Sequence, residues 1–293
     1  MATEQPATDV PADAPVAAPE PAPAAPAEPA PSEPAPNESH PDEGKVVAPE
    51  IEAAAVPDVT PAAAEVVPVA QEGSRLVLHH LNNSRSQRIL WLLEELGVPY
   101  EIKSYHRLPS MQAPPELKAI HPLGKSPVMQ DGDVKLAESG AIIEYLIKKY
   151  GKGRFDPGED GWVDNLYYTH YAEGSLQPII VMSLIFSILP PRAPFFIRPI
   201  ARLICNNVQH LLIEPQLKEN AEMIEAHLSK SSTGWFASAP NPTSADFLMI
   251  FTLETLVSRG PGVGPKIKEY VARVHEREAW KRGIERGGKY TVA

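Results

Sequence analysis

The strongest constraint on the fold is an abrupt change in composition near residue 73 of this 293-residue chain. Residues 1–72 hold 16 of the 33 prolines, 14 acidic residues against a single basic one (Lys45), and no Phe, Trp or Tyr. Such a segment cannot bury enough apolar surface to offset an ordering entropy of about 1–2 kcal/mol per residue. We therefore predict that residues 1–72 form a disordered, semi-extended tail and that the globular fold lies in the rest.

Most of the formal net charge of −10 lies in this tail. The tail contributes −13 (1 basic residue minus 14 acidic ones), whereas residues 73–293 contribute +3 (26 basic residues minus 23 acidic ones). A nearly neutral body has no basic stripe that would displace counterions from phosphates, so nucleic acid is not an expected partner.

The single cysteine, Cys205, limits the redox chemistry and the compartment. It excludes an internal disulfide framework and a cysteine-rich metal site, and it fits a reducing environment. The N-terminus lacks the basic flank and apolar core of a signal peptide, and no window holds 18 uninterrupted apolar residues. We therefore expect a soluble protein located in the cytoplasm.

Residues 75–150 alternate between strand and helix patterns. A strand-type run, Leu76–Leu81, is followed by a polar break and by an apolar helical run that Gly97 stops. A second strand follows over Tyr100–Tyr105, and two strands joined through a helix predict a parallel βαβ unit. A short helix, a hairpin around Asp-Gly and a closing helix are predicted at residues 114–120, 127–137 and 141–150.

Strand signals disappear after a linker at residues 153–160. The remaining pattern predicts four helices, at residues 162–186, 195–228, 245–258 and 266–283. Pro190, Pro191, Pro194 and Pro199 predict that the second of these helices begins near Ile200. The second half therefore reads as an all-α domain.

Three motifs follow one another along the chain. The first is Pro122–Val128, before the predicted hairpin; the second is the pair Glu138-Ser139, at the start of a helix; the third is Thr243–Asp246. In this order and spacing they resemble the glutathione transferase superfamily, in which the first would hold a cis-proline and the third a helical capping box. Residues 83–88 and 113–124 most resemble a fungal and bacterial branch whose yeast member associates with the endoplasmic reticulum.

The resemblance covers about Arg75 to Tyr290 and implies the fold class. It implies an α/β domain followed by an all-α domain: a thioredoxin-like N-terminal domain of βαβ–ββα order and a helical-bundle C-terminal domain, behind the disordered tail. The expected division is a tail at 1–72, a glutathione-binding domain at 73–152 and an all-helical domain at 161–290.

Glutathione carries two carboxylates, an ammonium and a thiol, and the resemblance implies a partner for each group. A cis bond between Ser126 and Pro127 would expose the Ser126 N–H and C=O to the cysteinyl backbone; the alternative is an ordinary trans turn. Ser139, at a helix N-terminus, suits the γ-glutamyl carboxylate and Glu138 suits the ammonium, unless the pair only caps the helix. Lys125 suits the glycyl carboxylate, with Gln112 in the preceding loop as a weaker candidate, unless each is only a solvated surface residue.

The turn Asn83-Ser84, before the first helix, is the predicted site of the thiolate. Lowering a thiol pKa of about 8.5 to near neutrality requires about 3 kcal/mol, which a hydroxyl hydrogen bond and a helix N-terminus supply together. The family's usual catalytic serine or cysteine falls on Asn83 here, and a hydroxyl is the stronger donor. We predict Ser84 as the catalytic donor with Asn83 as the alternate; the competing interpretation is that both only cap the helix.

Tyr167, Tyr168 and Tyr171 lie on the first helix of the second domain and share a face. The resemblance implies that this helix lines the electrophile pocket, although core packing is the alternative for two of the three. Four histidines are interpreted as structural or surface groups, namely His79, His80, His106 and His121. Their spacing does not match a metal site, so no metal cofactor is expected.

The resemblance implies a glutathione transferase that uses glutathione as co-substrate. The thiolate would be conjugated to an apolar electrophile or would reduce an organic hydroperoxide. The alternative function is a non-catalytic scaffold or stress-sensing module of the same architecture. A thiol oxidoreductase is disfavoured because no cysteine occupies the turn after the first strand. The architecture also implies a homodimer.

The segment Leu176–Ile204 is apolar, interrupted by prolines and flanked by Arg192, Arg198 and Arg202. Such a segment either dips into a membrane interface or packs in the helical core and the dimer face. The first interpretation adds a membrane surface to the expected partners. Together with the resemblance to the yeast member, it places the protein at the periphery of the endoplasmic reticulum.

Overall fold

The computed structural model describes residues 76–110 and 112–291, and the predicted tail lies outside them. Within these residues the chain forms one four-stranded sheet and ten α-helices. The strands are β1 (Leu76–Leu81), β2 (Glu101–Tyr105), β3 (Val128–Asp131) and β4 (Val134–Ala137). The helices are α1 (Ser86–Leu96), α2 (Pro115–Ile120), α3 (Ser139–Tyr150), α4 (Gly158–Tyr171), α5 (Gln177–Arg192), α6 (Arg198–Val208), α7 (Glu214–Lys230), α8 (Ser244–Arg259), α9 (Pro265–Glu276) and α10 (Glu278–Gly287).

The sheet has the strand order β2-β1-β3-β4. Strand β1 pairs in parallel with β2, which follows it through the crossover helix α1, and it pairs antiparallel with β3. Strands β3 and β4 form a tight hairpin in which Gly132 takes the left-handed backbone conformation (φ 59°). The thioredoxin-like βαβ–ββα order followed by a helical domain is thus confirmed, whereas the predicted domain boundaries stay predictions.

Helix α1 is apolar over most of its surface. The elements packed around it bury these apolar side chains. Residues Ile89–Leu93 are fully buried. The Trp91 ring lies 4.4 Å from the Phe247 ring of α8 and 5.9 Å from the Trp280 ring of α10, measured between centroids. One continuous core therefore joins the sheet to the helical half.

Helices α4 and α5 form one helix that a π-helical turn at Ala172–Leu176 interrupts. Pro190 and Pro191 lie in the last turn of α5, where each removes one backbone N–H donor, and the helix ends directly after them at Arg192. Helix α6 begins at Arg198, close to the predicted start. It continues through a second π-helical turn, Gln209–Ile213, into α7.

The prediction of a single helix over residues 266–283 is wrong, because the chain forms two helices there. Arg277 leaves the helical conformation (φ −67°, ψ 134°) between α9 and α10. Its guanidinium pairs with Glu95 of α1, with Nη2 2.9 Å from Oε2. No Gly or Pro marks this position, and the ion pair that accompanies the break joins residues far apart in the chain.

The predicted capping box at the start of α8 is confirmed. The Asp246 carboxylate accepts hydrogen bonds from the Thr243 N–H at 2.8 Å, the Phe236 N–H at 3.0 Å and the Tyr270 hydroxyl at 3.1 Å. Asp246 is fully buried, and burial raises its pKa to about 6 despite these donors. The box therefore links α8 to the preceding loop and to α9.

Candidate functional site

A cleft of about 1610 Å³ lies between the end of β1 and helices α5, α6 and α8. At one end it is bordered by Asn83 and Ser84, in the turn after β1, and by Lys125 and Ser126, in the loop before β3. Four residues predicted from the sequence as site residues therefore border one space. The other end is built by the helical half.

The loop before β3 is held against β1 by the Ser126 side chain. Its hydroxyl accepts a hydrogen bond from the Leu81 N–H at 3.1 Å and donates to the His79 carbonyl at 3.0 Å. The Ser126-Pro127 bond is cis, which confirms that prediction. The backbone of Ser126 thus lies directly beside the end of β1 at the cleft.

A chain of three buried side chains lies behind the turn. The hydroxyl oxygens of Ser84 and Ser86 are 2.8 Å apart, and Ser86 Oγ is 2.7 Å from Nδ1 of His80. Ser84 Oγ also accepts a hydrogen bond from the Ser86 N–H at 3.3 Å. All three residues are at most 5% exposed, so bulk water does not compete for these bonds.

We assign the direction of this chain from the protonation of His80. Burial lowers the pKa of His80 to about 4, so the imidazole is neutral near pH 7. The Gly287 backbone carbonyl hydrogen-bonds the imidazole, and a carbonyl only accepts, so the ring N–H points to Gly287. Nδ1 then accepts from Ser86, and Ser86 accepts from Ser84.

Hydrogen bonds hold Asn83 through both its side chain and its backbone carbonyl. Its backbone takes the left-handed conformation (φ 48°), which asparagine tolerates better than most residues. Its Oδ1 accepts a hydrogen bond from the Thr291 N–H at 2.9 Å, and its carbonyl accepts one from Arg107 Nη2 at 3.3 Å. The side-chain Nδ2 has no hydrogen-bond partner within residues 76–110 and 112–291, so it is available as a donor.

The cleft is strongly basic for a body of nearly neutral charge. Glu214 is the one acidic residue among its lining residues, and it pairs with His210 at 2.7 Å. Seven basic residues line the cleft, namely Arg85, Arg107, Lys118, Lys125, Arg192, Arg202 and Arg259. Such a field attracts an anionic ligand and stabilises a negative charge formed within the cleft.

Glu138 and Ser139 lie next to Pro127 but do not border the cleft. The β3–β4 register pairs Val128 with Ala137, so the two residues after Ala137 stand beside the cis-proline loop. Ser139 is buried as the first residue of α3, whereas Glu138 is exposed and makes no capping hydrogen bond. The structure thus brings this pair to the loop without joining it to the Asn83-Ser84 turn.

Residues 75–148 match the family model described as the glutathione S-transferase N-terminal domain. The chain is 37% identical to glutathione S-transferase 3 of Schizosaccharomyces pombe over 218 residues, 72% of this chain and 87% of that protein. It is 33% identical to glutathione S-transferase 1 of Saccharomyces cerevisiae over 221 residues, 71% of this chain and 94% of that protein. This chain belongs to the glutathione S-transferase family.

Solved structures agree with this membership. A glutathione S-transferase from Actinobacillus pleuropneumoniae is 30% identical with a TM-score of 0.56, covering 72% of this chain and 92% of that one. The glutathione transferase URE2P8 from Phanerochaete chrysosporium, solved with oxidised glutathione, has a TM-score of 0.58 over 74% of this chain and 97% of its own. At 20% identity the second likeness shows the fold alone.

The three tyrosines predicted for the electrophile pocket do not border the cleft of this family member. Tyr168 is buried against Phe236, with ring centroids 4.5 Å apart, and the buried Tyr171 donates a hydrogen bond to Asn220. Tyr167 is half-exposed on α4. Helical spacing placed the three on one side of α4, but that side packs against α7 and the loop after it.

The apolar wall of the cleft comes from helices α5 and α8. It includes Ile180, Val181 and Leu184 on α5 and Phe251 and Leu256 on α8. The sequence showed both helices as apolar but not which side faces the cleft, because that depends on how the helices pack.

Sequence reasoning also missed three residues that contact the Asn83-Ser84 turn or its hydrogen-bonded chain. His80 was interpreted as a structural group, and neither Arg107 nor Thr291 was considered. Each acts on the turn across 6 or more residues of chain, and no motif marks them. Within the described parts of the chain, no group of three or more His, Cys, Asp or Glu side chains is placed to hold a metal ion.

Proposed function

We propose that this chain binds glutathione in the cleft and transfers its thiolate to an apolar electrophile held farther along the same cleft. The observation that carries the proposal is the two-part lining, hydrogen-bonding at Asn83, Ser84 and Ser126 but apolar along α5 and α8. The cleft volume, about 1610 Å³, exceeds the roughly 300–1,000 Å³ of a usual small-molecule site and therefore suits two co-substrates.

Glutathione would lie along the loop before β3. The N–H and C=O of Ser126 would pair with its cysteinyl backbone, as an added strand pairs with a sheet edge. Lys125 would bind the glycyl carboxylate, while the γ-glutamyl end would extend past Pro127, beyond the cleft lining, to Ser139 and Glu138. The oxidised glutathione in the URE2P8 structure supports this class of ligand.

Two donors would stabilise the thiolate. Asn83 Nδ2 is ready to donate because Thr291 anchors Oδ1 of the same amide. The Ser84 hydroxyl donates to Ser86 in the assigned chain and would turn to the thiolate, because a charged acceptor forms a stronger hydrogen bond than a hydroxyl. Each such bond is worth roughly 1.5–3 kcal/mol, which matches the pKa shift of about two units that the chemistry needs.

The same thiolate would also reduce an organic hydroperoxide. Attack on the outer peroxide oxygen would release the alcohol and leave glutathione sulfenic acid, and a second glutathione would then form the disulfide and water. Whether conjugation or reduction dominates depends on which apolar co-substrate the wall of α5 and α8 admits.

A non-catalytic scaffold is the competing function. The observation that favours it is Asn83 in the slot where the family usually has serine or cysteine, together with a Ser84 proton directed to Ser86. In that case glutathione would bind without a lowered thiol pKa.

The decisive measurement is the pKa of the bound glutathione thiol, followed by thiolate absorbance against pH. Asn83→Ala and Ser84→Ala are each expected to raise that pKa by about 1–2 units, since each removes one hydrogen bond to the charge. Turnover with an aryl halide and with an organic hydroperoxide should fall in parallel. Ser187→Ala, a hydroxyl at the far end of the cleft, is the matched control and should leave the pKa unchanged.

Retained glutathione binding with an unchanged thiol pKa in both variants would favour the scaffold. Failure of the full-length protein to bind immobilised glutathione would reject the site itself.

A further inference from the structure

Helix α6 presents its apolar side to solvent. Ile200, Leu203 and Ile204 are 62%, 63% and 56% exposed, and their spacing of three and four residues places them on one face. On the opposite side of the helix, Arg202 and Asn206 line the cleft. Surface helices of soluble proteins turn their apolar stripe to the core, so α6 is reversed relative to that rule.

The exposed apolar surface continues beyond both ends of α6. Phe195 and Phe196, in the turn before it, are 80% and 68% exposed. Leu211 and Leu212, in the π-helical turn after it, are 73% and 59% exposed. We call these four residues, with Ile200, Leu203 and Ile204, the α6 face. A contiguous apolar surface of this kind marks a docking site.

The segment that carries the α6 face is basic up to Glu214, which directly follows it. Residues 177–213 contain no Asp or Glu, although residues 73–293 as a whole hold 23. The same segment contains Arg192, Arg198 and Arg202. A helix with an apolar face, arginines on its polar side and no acidic residue is typical of segments that lie on anionic lipid headgroups.

We propose that the α6 face docks on an anionic lipid bilayer, with Phe195 and Phe196 entering the boundary between headgroups and acyl chains. Arg198, beside the two phenylalanines, would contact headgroup phosphates. Because Arg202 and Asn206 lie on the other side of the same helix, the far end of the cleft would open next to the bilayer. If the proposed transferase activity holds, apolar electrophiles dissolved in the membrane could then enter directly.

Charge argues against a second copy of the chain as the occupant. In a two-fold interface the same patch meets itself, so two segments that each carry three arginines and no acidic residue would be brought together. No acidic residue within 177–213 would pair with them.

A spanning arrangement is also disfavoured. The helix Gly158–Arg192 is long and apolar enough to cross a membrane by length and composition, with a mean hydropathy of 1.6 over its most apolar window. Glu173, in its middle, pairs with the buried Arg88 of α1, at 2.5 Å, so this helix is tied into the folded body. The proposal is therefore docking at the surface.

Flotation of the full-length protein with extruded vesicles tests the proposal. At about 0.1 M salt, where the Debye length is about 10 Å, it should float with vesicles of phosphatidylcholine and phosphatidylserine and less with phosphatidylcholine alone. Phe195→Ser with Phe196→Ser should lower the partition coefficient at least tenfold, and Arg198→Gln should lower it about fivefold for anionic vesicles. The matched control, Leu108→Ser with Val134→Ser, changes two exposed apolar residues elsewhere and should float like wild type.

Three outcomes would overturn the proposal. They are no flotation of wild type with anionic vesicles, equal loss of flotation in the control variant, and retention of wild type on vesicles after extraction at high pH, which would indicate a spanning helix. If Phe195→Ser with Phe196→Ser instead halves the sedimentation mass and leaves flotation unchanged, a second copy covers the α6 face and the proposal is equally rejected. Binding of glutathione by each variant reports that it is folded.

Discussion

His79 and His80 are buried next to each other in β1, beside the cis-proline loop. The pKa of each is lowered to about 4, mainly by burial, and for His79 also by the nearby charges of Lys103 and Lys135. In the unfolded chain both pKa values return to about 6.5. Between pH 4 and 6.5 the folded state therefore binds fewer protons than the unfolded state, so these residues make stability rise with pH.

Asp246 has the opposite effect on how stability changes with pH. Its folded pKa of about 6 lies above the unfolded value of 3.8, so its contribution is fully present below pH 3.8 and is lost as the pH rises through 6. Each of the three shifts is worth about 3 kcal/mol at most. The two histidines together contribute more to the pH dependence of the free energy of unfolding than Asp246 does. The protein should therefore lose stability as the pH falls.

We expect the free energy of unfolding to fall by about 2–3 kcal/mol between pH 7.5 and pH 5, measured by urea denaturation. His80→Gln should remove about 2 kcal/mol of this dependence, whatever its absolute stability, because it removes one titrating group. Asp246→Asn should steepen the dependence by about 1 kcal/mol. Identical pH dependence in wild type and His80→Gln would contradict the assignment of a neutral buried His80.

At the scale of elements, an ion pair joins α1 to the π-helical turn between α4 and α5. Arg88 is fully buried, and its Nη1 lies 2.5 Å from Glu173 Oε1. Its guanidinium also lies 5.1 Å from the centroid of the Phe251 ring of α8. Nε and Nη2 of Arg88 have no hydrogen-bond partner within the described ranges, so Glu173 is the main compensation for this buried charge.

Replacing Glu173 alone should therefore lower the free energy of unfolding more than replacing Arg88 alone. Glu173→Gln is expected to destabilise the protein by about 3–5 kcal/mol, because it leaves a buried cation without its counter-charge. Arg88→Met, which replaces the side chain with an apolar one of similar length, should cost less. Urea denaturation of both variants at pH 7.5 measures the difference, and a larger loss in Arg88→Met would contradict this account.

At the scale of the whole molecule, helix α4 offers a second exposed apolar face, distinct from the α6 face. Trp162, Val163, Leu166 and Tyr167 are all exposed and follow helical spacing. No arginine or lysine occurs in α4, so this helix lacks the arginines that α6 carries on its polar side. It suits the self-complementary contact of the predicted homodimer.

We expect wild type to sediment at about twice its monomer mass of 31.9 kDa at micromolar concentration. Trp162→Glu with Leu166→Glu should yield a monomer, because two carboxylates would be buried against their copies in a two-fold contact. Val134→Glu, an exposed position in β4, is the control and should stay dimeric. A wild-type monomer would reject the homodimer, and a double variant that stays dimeric would show that the dimer contact lies on another face.

A cytoplasmic location, with membrane contact through the α6 face, stays a prediction.

Local patterns in the sequence were sufficient for the order of strands and helices over residues 76–150 and for the Asp-Gly hairpin, and the family resemblance added the cis-proline loop and the capping box at Asp246. Each depends on residues within a few positions of one another, where periodicity, Gly and Pro conformations and short-range hydrogen bonds decide the outcome. The turn Asn83-Ser84 and the residues Lys125 and Ser126 were predicted through the family resemblance, and their roles stay predictions.

Only the tertiary structure decided what faces the cleft. The apolar wall came from α5 and α8 instead of Tyr167, Tyr168 and Tyr171, because the packing of α4 turned these rings away from the cleft. The His80–Ser86 hydrogen bond, the Arg88–Glu173 ion pair and the helix break at Arg277 each require a partner whose position is set by the assembled core. Such contacts carry no local sequence pattern, because their free energy depends on burial, and burial exists only once distant elements have packed.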